Sequence, residues 1–223
     1  ISAWKMALHL LVPVIVSILL NEIQSNAFRR LSQTLIYLPH FLSWIILAGI
    51  LIDLLSPNGG LVNRFLGLFG AEPIFFLGSN KWFRFTLVFT DVWKEFGFGT
   101  IVYLAAITNI DPTQYEAATI DGANRFQRIM HVTLPNMRMI IVLMMVLSLG
   151  NVLNAGFDQV YNMYSEAVYP TGDILDTFIY RLSFKNGLWG QSAAVSMFKS
   201  VVSTLFISVS YLCAYKFADY RVF

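Results

Sequence analysis

Long apolar runs alternate with short polar segments along the whole chain. Five of these runs approach the roughly 20 residues that a helix needs to cross a bilayer. They span residues 3–23, 35–55, 84–107, 137–153 and 192–215. The first three end in turn and cap residues, in the stretches NEIQSNAFRR, SPNGG and NIDP. Apolar and polar residues do not alternate as in the strands of a membrane barrel, so the pattern predicts a bundle of helices.

Composition places this bundle in a membrane. Of the 223 residues, 57% are hydrophobic and 13% are charged, and the mean hydropathy is +0.62. Soluble domains carry about 25% charged residues, so this chain has too little charge to cover a surface that faces water. We therefore predict an all-α, polytopic membrane protein with a single domain over residues 1–223.

Charge and cysteine content narrow the partners. The 15 lysines and arginines are scattered and the net charge is +2, so nucleic acid is not an expected partner. The single cysteine, Cys213, lies in an apolar run, where a buried hydrophobic role is favoured over metal binding or a disulfide. The chain begins ISAWKM, with neither an initiator methionine nor signal-peptide features, so we expect further residues upstream.

A polar segment, YEAATIDGANRFQRIMHVTLP at residues 115–135, interrupts the apolar pattern. Asp111 and Pro112 form an N-cap and first-turn pair just before it, and Gln114 is placed to complete a capping box. A short helix is therefore predicted to begin there. It is predicted to end at Gly122, a residue that readily adopts the positive φ of a helix C-terminus.

A second short helix is predicted after this turn. Asn124 is a suitable N-cap with Gln127 three residues later, and Pro135 is expected to close the unit before the fourth span. The pair of small residues Ala117 and Ala118 keeps one face of the first helix thin, next to an exposed Glu116. Two interpretations follow from the pattern, namely an amphipathic loop on the membrane surface or a docking element for another protein.

The spacing of this segment favours docking. Glu116-Ala117-Ala118, three residues, Gly122, nine residues, Val132, one residue and Leu134-Pro135 resemble the EAA loop of the membrane subunits of bacterial ABC importers. Other stretches resemble the LplB-like oligosaccharide and polysaccharide permeases of the carbohydrate (MalF-like) branch, so that the resemblance covers nearly the whole chain. These stretches are SQTLIYLPHFLSWIILAGILIDLLSPNGGLVN, FFLGSNKWFR, DVWKEFGFGTIVYLAAITNIDPTQYEAATIDGANR and ILDTFIYRLSF.

The resemblance implies the fold, location and partners. It implies a type I ABC importer transmembrane domain in the bacterial cytoplasmic membrane, usually with six spans, of which one would lie upstream of the five here. The implied partners are a second homologous permease subunit, two cytoplasmic ATP-binding subunits, an extracytoplasmic solute-binding protein and a saccharide. The chain has no phosphate-binding loop of its own, so ATP and Mg would be bound by the partner subunits and this chain would hold no cofactor or metal.

The resemblance also assigns roles within a cytoplasmic coupling loop at residues 111–135. Glu116 would face the ATPase, Gly122 would set the angle between the two short helices, and Ala117 and Ala118 would allow close packing. If this loop is cytoplasmic, the cytoplasmic loops carry seven lysines and arginines in short stretches, and the outside loops carry six in longer stretches. This distribution agrees weakly with the positive-inside rule. The expected coupling residues are Tyr115, Glu116, Ala117, Ala118, Asp121, Gly122, Leu134 and Pro135.

Polar residues within spans are the candidates for the substrate pathway. Charges there are costly and therefore often functional, although Asp91, Lys94 and Glu95 could equally form an ion cluster that holds the third span in place. Asparagines could bind sugar hydroxyls or neighbouring helices, and aromatic rings could stack on sugars or anchor the interface. The candidate pathway residues are Asp91, Trp93, Lys94, Glu95, Asn151, Asn154, Phe41 and Trp44. His40 has no metal-site pattern around it, and Lys199 is expected to pair or snorkel.

Other classes of function stay open at this point. A channel or a membrane enzyme could also be a helical bundle. A channel, however, needs no ATPase-docking loop. Against an enzyme, the sequence shows neither a Ser-His-Asp pattern nor an HExxH motif. Importers of amino acids, phosphate or metals carry related loops. The saccharide assignment therefore depends on the wider resemblance.

Overall fold

The computed structural model describes residues 1–218 of the chain and is built of helices, with no strand among those residues. The side chain of Cys213 lies outside the described part. The helices are α1 (Ser2–Asn21), α2 (Asn26–Tyr37), α3 (Trp44–Leu55), α4 (Leu61–Gly67), α5 (Asn80–Thr108), α6 (Pro112–Ile120), α7 (Arg125–Arg128), α8 (Leu134–Gly150), α9 (Phe157–Met163), α10 (Tyr169–Gly172), α11 (Leu175–Tyr180) and α12 (Trp189–Ala218).

Three helical stretches in the described part are long and apolar enough to cross a membrane, namely Ser2–Asn21, Arg125–Gly150 and Trp189–Leu212. They correspond to the first, fourth and fifth predicted spans. The third predicted span lies within α5, which has 29 residues and is about 43 Å long at the usual helical rise. Asp91, Lys94 and Glu95 fall in every 18-residue window of α5, and these charges separate it from the apolar helices.

The second predicted span, residues 35–55, is not one continuous helix. Residues Asn26–Phe41 and Trp44–Leu55 form a pair of helical segments that are bent by 101°. Pro39 lacks the N–H that would continue the hydrogen-bond ladder, and the chain tightens into a 3₁₀ turn at Leu38–Phe41. Ser43 then starts α3 by accepting the Ile46 N–H at 3.4 Å. The polar stretch before this bend was expected to be a loop, and it forms the amphipathic helix α2.

The fourth predicted span begins earlier than expected, because Pro135 does not close the helical unit. The helix runs from Arg125 to Gly150, and Pro135 lies inside it. A π turn at Ile129–Thr133 immediately precedes the proline. Proline in a helix lacks one N–H and clashes with the carbonyl four residues back, and a π turn is a local rearrangement that accommodates such a defect. The helix therefore continues through a residue that was expected to end it.

The chain divides into two compact units. The first unit comprises Ile1–Lys5, Phe41–Trp93 and Asn151–Thr204. Its core contains buried residues of α3, α5 and α9, including Leu47, Phe83, Leu87 and Val160, each at most 2% exposed. The burial of these side chains fixes the short helices that follow Asn151 against α3 and α5.

The second unit comprises Met6–His40, Lys94–Gly150 and the residues from Leu205. Its core is built around Tyr103, Ile107 and Met137, against which apolar residues of α1 pack. The backbones of α2 and α5 approach closely at Gly97, where an added Cβ would lie 1.9 Å from the Ile36 carbonyl oxygen. This unit contains the whole of residues 111–135. The single-domain boundary of 1–223 stays a prediction.

Candidate functional site

Helix α6 is capped at its N-terminus by the predicted residue. The Asp111 carboxylate accepts the Thr113 N–H at 2.9 Å, and Pro112 occupies the first turn. Hydrogen bonds from the backbone and then the side chain of Thr113 lower the pKa of Asp111. The cap therefore contributes above the ordinary pKa of an aspartate and is lost as the pH falls through the depressed value. The expected capping box was wrong, because the Gln114 side chain instead accepts from Asn136 at 2.8 Å.

Helix α6 ends at Ile120, and the chain turns at Gly122 as predicted, with a φ of +77°. The Gly122 N–H donates to the Thr119 carbonyl at 3.1 Å, and the Ala123 N–H donates to the Ala118 carbonyl at 2.9 Å. These two bonds form a Schellman motif, which requires a left-handed residue at this position. The chain then turns directly into the next helix.

The predicted cap of the second helix is also confirmed. Asn124 and Gln127 form a reciprocal capping box with bonds of 2.8 and 2.9 Å. The helix that starts here is not a separate short helix, however, since it continues through the π turn into α8. The segment thus consists of one short helix, α6, attached through a tight turn to the start of a long one.

Side-chain bonds tie α6 to that long helix. The Tyr115 hydroxyl lies 3.0 Å from the Thr133 hydroxyl in the π turn, and Thr133 is buried. Gln114 accepts from Asn136 at 2.8 Å, and Arg128 donates to Thr119 at 3.2 Å. These three bonds join α6 to the residues around the π turn and to the start of α8.

Replacing either Tyr115 with phenylalanine or Thr133 with valine is expected to loosen α6. Each change removes the same hydrogen bond, worth about 0.5–1.5 kcal/mol, so amide exchange in α6 is expected to be roughly 2- to 12-fold faster. Hydrogen–deuterium exchange of the protein in lipid nanodiscs measures this. The double variant serves as the control, since it is expected to be no looser than either single variant. Additive effects would show that the two hydroxyls do not act as a pair.

The outer surface of α6 and its turn is exposed and carries large apolar side chains. None of the residues of α6 is buried, and Ile120 and Phe126 are 87% and 69% exposed. We call the exposed residues Glu116, Ala117, Ile120, Asp121 and Phe126 the α6 surface. Ile120 and Phe126 were missed from the sequence, although both are apolar residues within an otherwise polar segment. Among the other expected coupling residues, Tyr115, Ala118 and Leu134 are half-buried, while Gly122 and Pro135 are exposed.

The charges of α5 take part in two polar centres. In the first unit, Asp91 pairs with Lys5 of α1 at 3.3 Å. The Lys5 ammonium also donates to the Ala155 carbonyl at 2.7 Å and to the side-chain oxygen of Gln159. Gln159 is fully buried and donates in turn to the Leu87 carbonyl at 2.8 Å. We call Lys5, Asp91 and Gln159 the buried polar centre.

The other polar centre lies in the second unit. Glu95 binds Lys94 at 2.7 Å through one carboxylate oxygen and His40 at 2.7 Å through the other. Lys94 also donates to the His40 carbonyl at 3.0 Å, and the imidazole stacks on Phe98 with 4.2 Å between ring centroids. These contacts agree with a role of the charges in holding elements together. A pathway role for Asp91, Lys94 and Glu95 stays a prediction.

The asparagines after α8 lie beside an ion pair between Lys199 and Asp176. Lys199 of α12 donates to Asn154 at 2.8 Å and pairs with Asp176 at 2.5 Å, and Asn154 donates to Asn151 at 3.2 Å. With neighbouring serines of α12, Asn154, Asp176 and Lys199 line an open cleft of about 500 Å³. Lys199 was expected to pair or snorkel, and it pairs with Asp176, a partner that the sequence did not indicate.

The aromatic candidates differ in their surroundings. Phe41 and Trp93 are 78% and 40% exposed, so their rings are accessible. Trp44 packs against the core of the first unit. Contact of Phe41, Trp44 or Trp93 with a sugar stays a prediction.

Comparison with known proteins agrees with this geometry. The model of a family described as "Binding-protein-dependent transport system inner membrane component" matches residues 9–222. The chain is 38% identical over 221 residues to the polygalacturonan/rhamnogalacturonan transport system permease protein YteP of Bacillus subtilis, covering 99% of this chain and 69% of that protein. It is 40% identical over 211 residues to protein LplB of the same organism, covering 95% of this chain and 66% of that protein. The chain thus spans about two thirds of the length of these curated relatives.

Solved structures show the same fold. A chain of a bacterial alginate ABC transporter in complex with an alginate pentasaccharide-bound periplasmic protein superposes with a TM-score of 0.91 and 36% identity, covering 96% of this chain and 76% of that one. A bacterial ABC transporter involved in the import of the acidic polysaccharide alginate gives a TM-score of 0.92 and 35% identity, covering 97% and 77%.

These matches confirm the resemblance, the helical importer fold and the membrane location inferred from the sequence. The family match extends over almost the whole chain and includes the segment at residues 111–135. The chain belongs to the family of binding-protein-dependent transport system inner membrane components.

Proposed function

We propose that this chain is the membrane-spanning permease subunit of an ATP-driven ABC importer that takes up an oligosaccharide or polysaccharide. The names of the relatives support the saccharide, because YteP is a polygalacturonan/rhamnogalacturonan permease and the structural neighbours belong to alginate transporters. The partners would be a second homologous permease subunit, two cytoplasmic ATP-binding subunits and an extracytoplasmic solute-binding protein. ATP and Mg would be bound and ATP hydrolysed by the partner subunits.

The observation that carries this proposal is the form of residues 111–135. Helix α6 is capped at both ends, has no fully buried residue and is bonded to the long helix Arg125–Gly150 by side chains. A small capped helix of this kind can enter a groove of another protein as one rigid piece. The exposed Ile120 and Phe126 supply apolar contact, and Glu116 supplies one charge for orientation.

The mechanism follows from this linkage. Binding of ATP would draw the two ATPase subunits together and displace the α6 helix seated on each. Through the Tyr115–Thr133 and Gln114–Asn136 bonds, the displacement would reach the helix Arg125–Gly150. The pathway would then change from inward-open to outward-open, a hinge-and-shear transition, and hydrolysis would reset it.

The proposal is tested by ATP hydrolysis in the assembled complex in lipid. The parent complex is expected to hydrolyse ATP faster when the binding protein carries a saccharide. Glu116→Lys is expected to abolish this stimulation, because it places a positive charge in the ATPase groove that would receive the Glu116 carboxylate. Glu166→Lys changes an exposed glutamate outside the α6 surface, and this matched control is expected to behave as the parent.

Two results would contradict the proposal. Stimulation of the parent by an amino acid, phosphate or metal but by no saccharide would overturn the substrate class. Normal stimulation and transport in the Glu116→Lys complex would overturn the docking role and favour a loop that lies on the membrane surface.

A further inference from the structure

The cleft at Lys199 combines one cation with a row of hydroxyl groups. Ser196, Lys199, Ser200 and Ser203 occupy one face of α12 at helical spacing, in a helix that is otherwise largely apolar. Asp176 stands opposite them. The volume of about 500 Å³ is within the range of roughly 300–1,000 Å³ that is usual for small-molecule sites.

The serine hydroxyls of this cleft are placed to accept hydrogen bonds. The Ser196 hydroxyl donates a hydrogen bond to the Ser192 carbonyl at 2.9 Å, and the Ser200 hydroxyl donates one to the Ser196 carbonyl at 3.0 Å. A hydroxyl that donates to its own helix keeps its oxygen lone pairs for another group. A ligand that meets these serines must therefore bring donors, such as the hydroxyls of a sugar.

Lys199, in contrast to the serines, requires a ligand that brings an acceptor. Its ammonium has three protons, of which Asn154 and Asp176 accept two. Its side chain is 16% exposed and that of Asp176 is 24% exposed, so both still reach the cleft. An ammonium in such a place binds an acceptor most strongly when that acceptor carries a negative charge.

One chemical group satisfies both requirements. We propose that this cleft binds a uronate unit of an acidic saccharide, with Lys199 on the sugar carboxylate and Asp176, Ser196 and Ser200 accepting from its hydroxyls. The carboxylate takes the place of Asp176 on the ammonium, and Asp176 is released to accept from a sugar hydroxyl. A neutral hexose offers the donors but no anion, so it leaves the Lys199–Asp176 pair intact. This inference rests on the proposed function and narrows its substrate class.

The test compares two probes on the same complex. Trigalacturonate and its carboxyl-reduced neutral counterpart are titrated into the permease–ATPase complex in nanodiscs without the binding protein, so that delivery by that protein does not select between them. The parent is expected to bind trigalacturonate at least tenfold more tightly than the neutral trisaccharide. Lys199→Met is expected to remove this preference, whereas Lys199→Arg retains it within about threefold because the charge is kept.

A variant that is expected to tighten binding separates the proposed role of the cleft from a loss of folding. Asp176→Asn removes the anion that competes for Lys199 and is expected to tighten trigalacturonate binding severalfold, which a misfolded variant cannot do. Lys185→Met changes an exposed lysine outside the cleft and serves as the control. Equal weakening of both probes by Lys199→Met, or no weakening of either, would overturn the inference, and so would failure of the parent to prefer trigalacturonate. The proposed function fails separately, if no loaded binding protein stimulates ATP hydrolysis.

Discussion

Gly122→Val is expected to reduce saccharide-stimulated ATP hydrolysis and uptake by about 5- to 30-fold without preventing membrane insertion. The reason is the φ of +77°, which costs an L-residue about 1–2 kcal/mol and a β-branched one at least as much. Apart from Gly122 itself and its two chain neighbours, no atom of the described residues lies within 4 Å of the position of an added Cβ. The penalty therefore comes from the backbone turn rather than from a clash, and it opposes the Schellman motif that ends α6.

Two substitutions at the same position check this reasoning. Gly122→Asn is expected to remain close to the parent, since asparagine tolerates the left-handed conformation. Gly122→Pro is expected to be at least as damaging as valine, because it also removes the N–H that bonds to the Thr119 carbonyl. The measurements are ATP hydrolysis and uptake in proteoliposomes with equal amounts of inserted protein. The reasoning would be contradicted if the valine variant coupled as the parent does, or if the asparagine variant were as impaired as the valine variant. Either result would show that the turn at Gly122 does not control coupling through α6.

Lys5→Met is expected to be the most destabilising of the substitutions considered. It removes the ammonium from Asp91, from the Ala155 carbonyl and from Gln159, within a centre whose Lys5 and Asp91 side chains are 7% and 11% exposed. Breaking a buried pair from one side typically costs about 3–5 kcal/mol. For a chain of this length, that corresponds to a fall in Tm of roughly 6–20 °C. Thermal unfolding of the purified complex in nanodiscs measures the change.

The paired variant gives the control for charge burial. Lys5→Met combined with Asp91→Asn removes both charges and is expected to recover a large part of the lost stability. Lys185→Met, at an exposed position, is expected to leave Tm unchanged. An equal loss in the single and paired variants would show that packing of the lysine stem, rather than the buried charge, stabilises this unit.

The sequence predicts this structure best where the structure depends on near neighbours. The caps at Asp111 and Asn124 and the positive φ at Gly122 depend on residues within one or two turns, so their spacing alone predicts them. The same applies to the apolar runs that became α1 and α12. The two helix starts and the turn between them were therefore predicted correctly.

Prolines show where local rules failed. Pro39 lies near the start of the second predicted span, and the chain bends by 101° just after it. Pro135 was expected to end a helix, yet a π turn carries the helix through it. Whether a proline bends, ends or merely perturbs a helix depends on what packs around it, and spacing along the chain does not contain that information.

Pairings between distant residues were also missed. Asp91 was grouped with its neighbours Lys94 and Glu95, but in the structure it meets Lys5 of another helix. Lys199 and Asp176 likewise come together only through the packing of α11 and α12. Asp91 and Lys199 stood out in the sequence, but the identity of the partner of each is a property of the tertiary fold.

The proposed function depends on the docking of α6 against an ATPase subunit, which site-directed crosslinking detects. Cys213 is replaced by serine, Ala117→Cys is introduced on the exposed face of α6, and a benzophenone maleimide is attached to the assembled complex in lipid. We predict that illumination joins this chain to an ATPase subunit from position 117 and not from a matched Lys185→Cys control. Absence of an ATPase adduct from position 117, or equal adducts from position 185, would contradict the docking of α6.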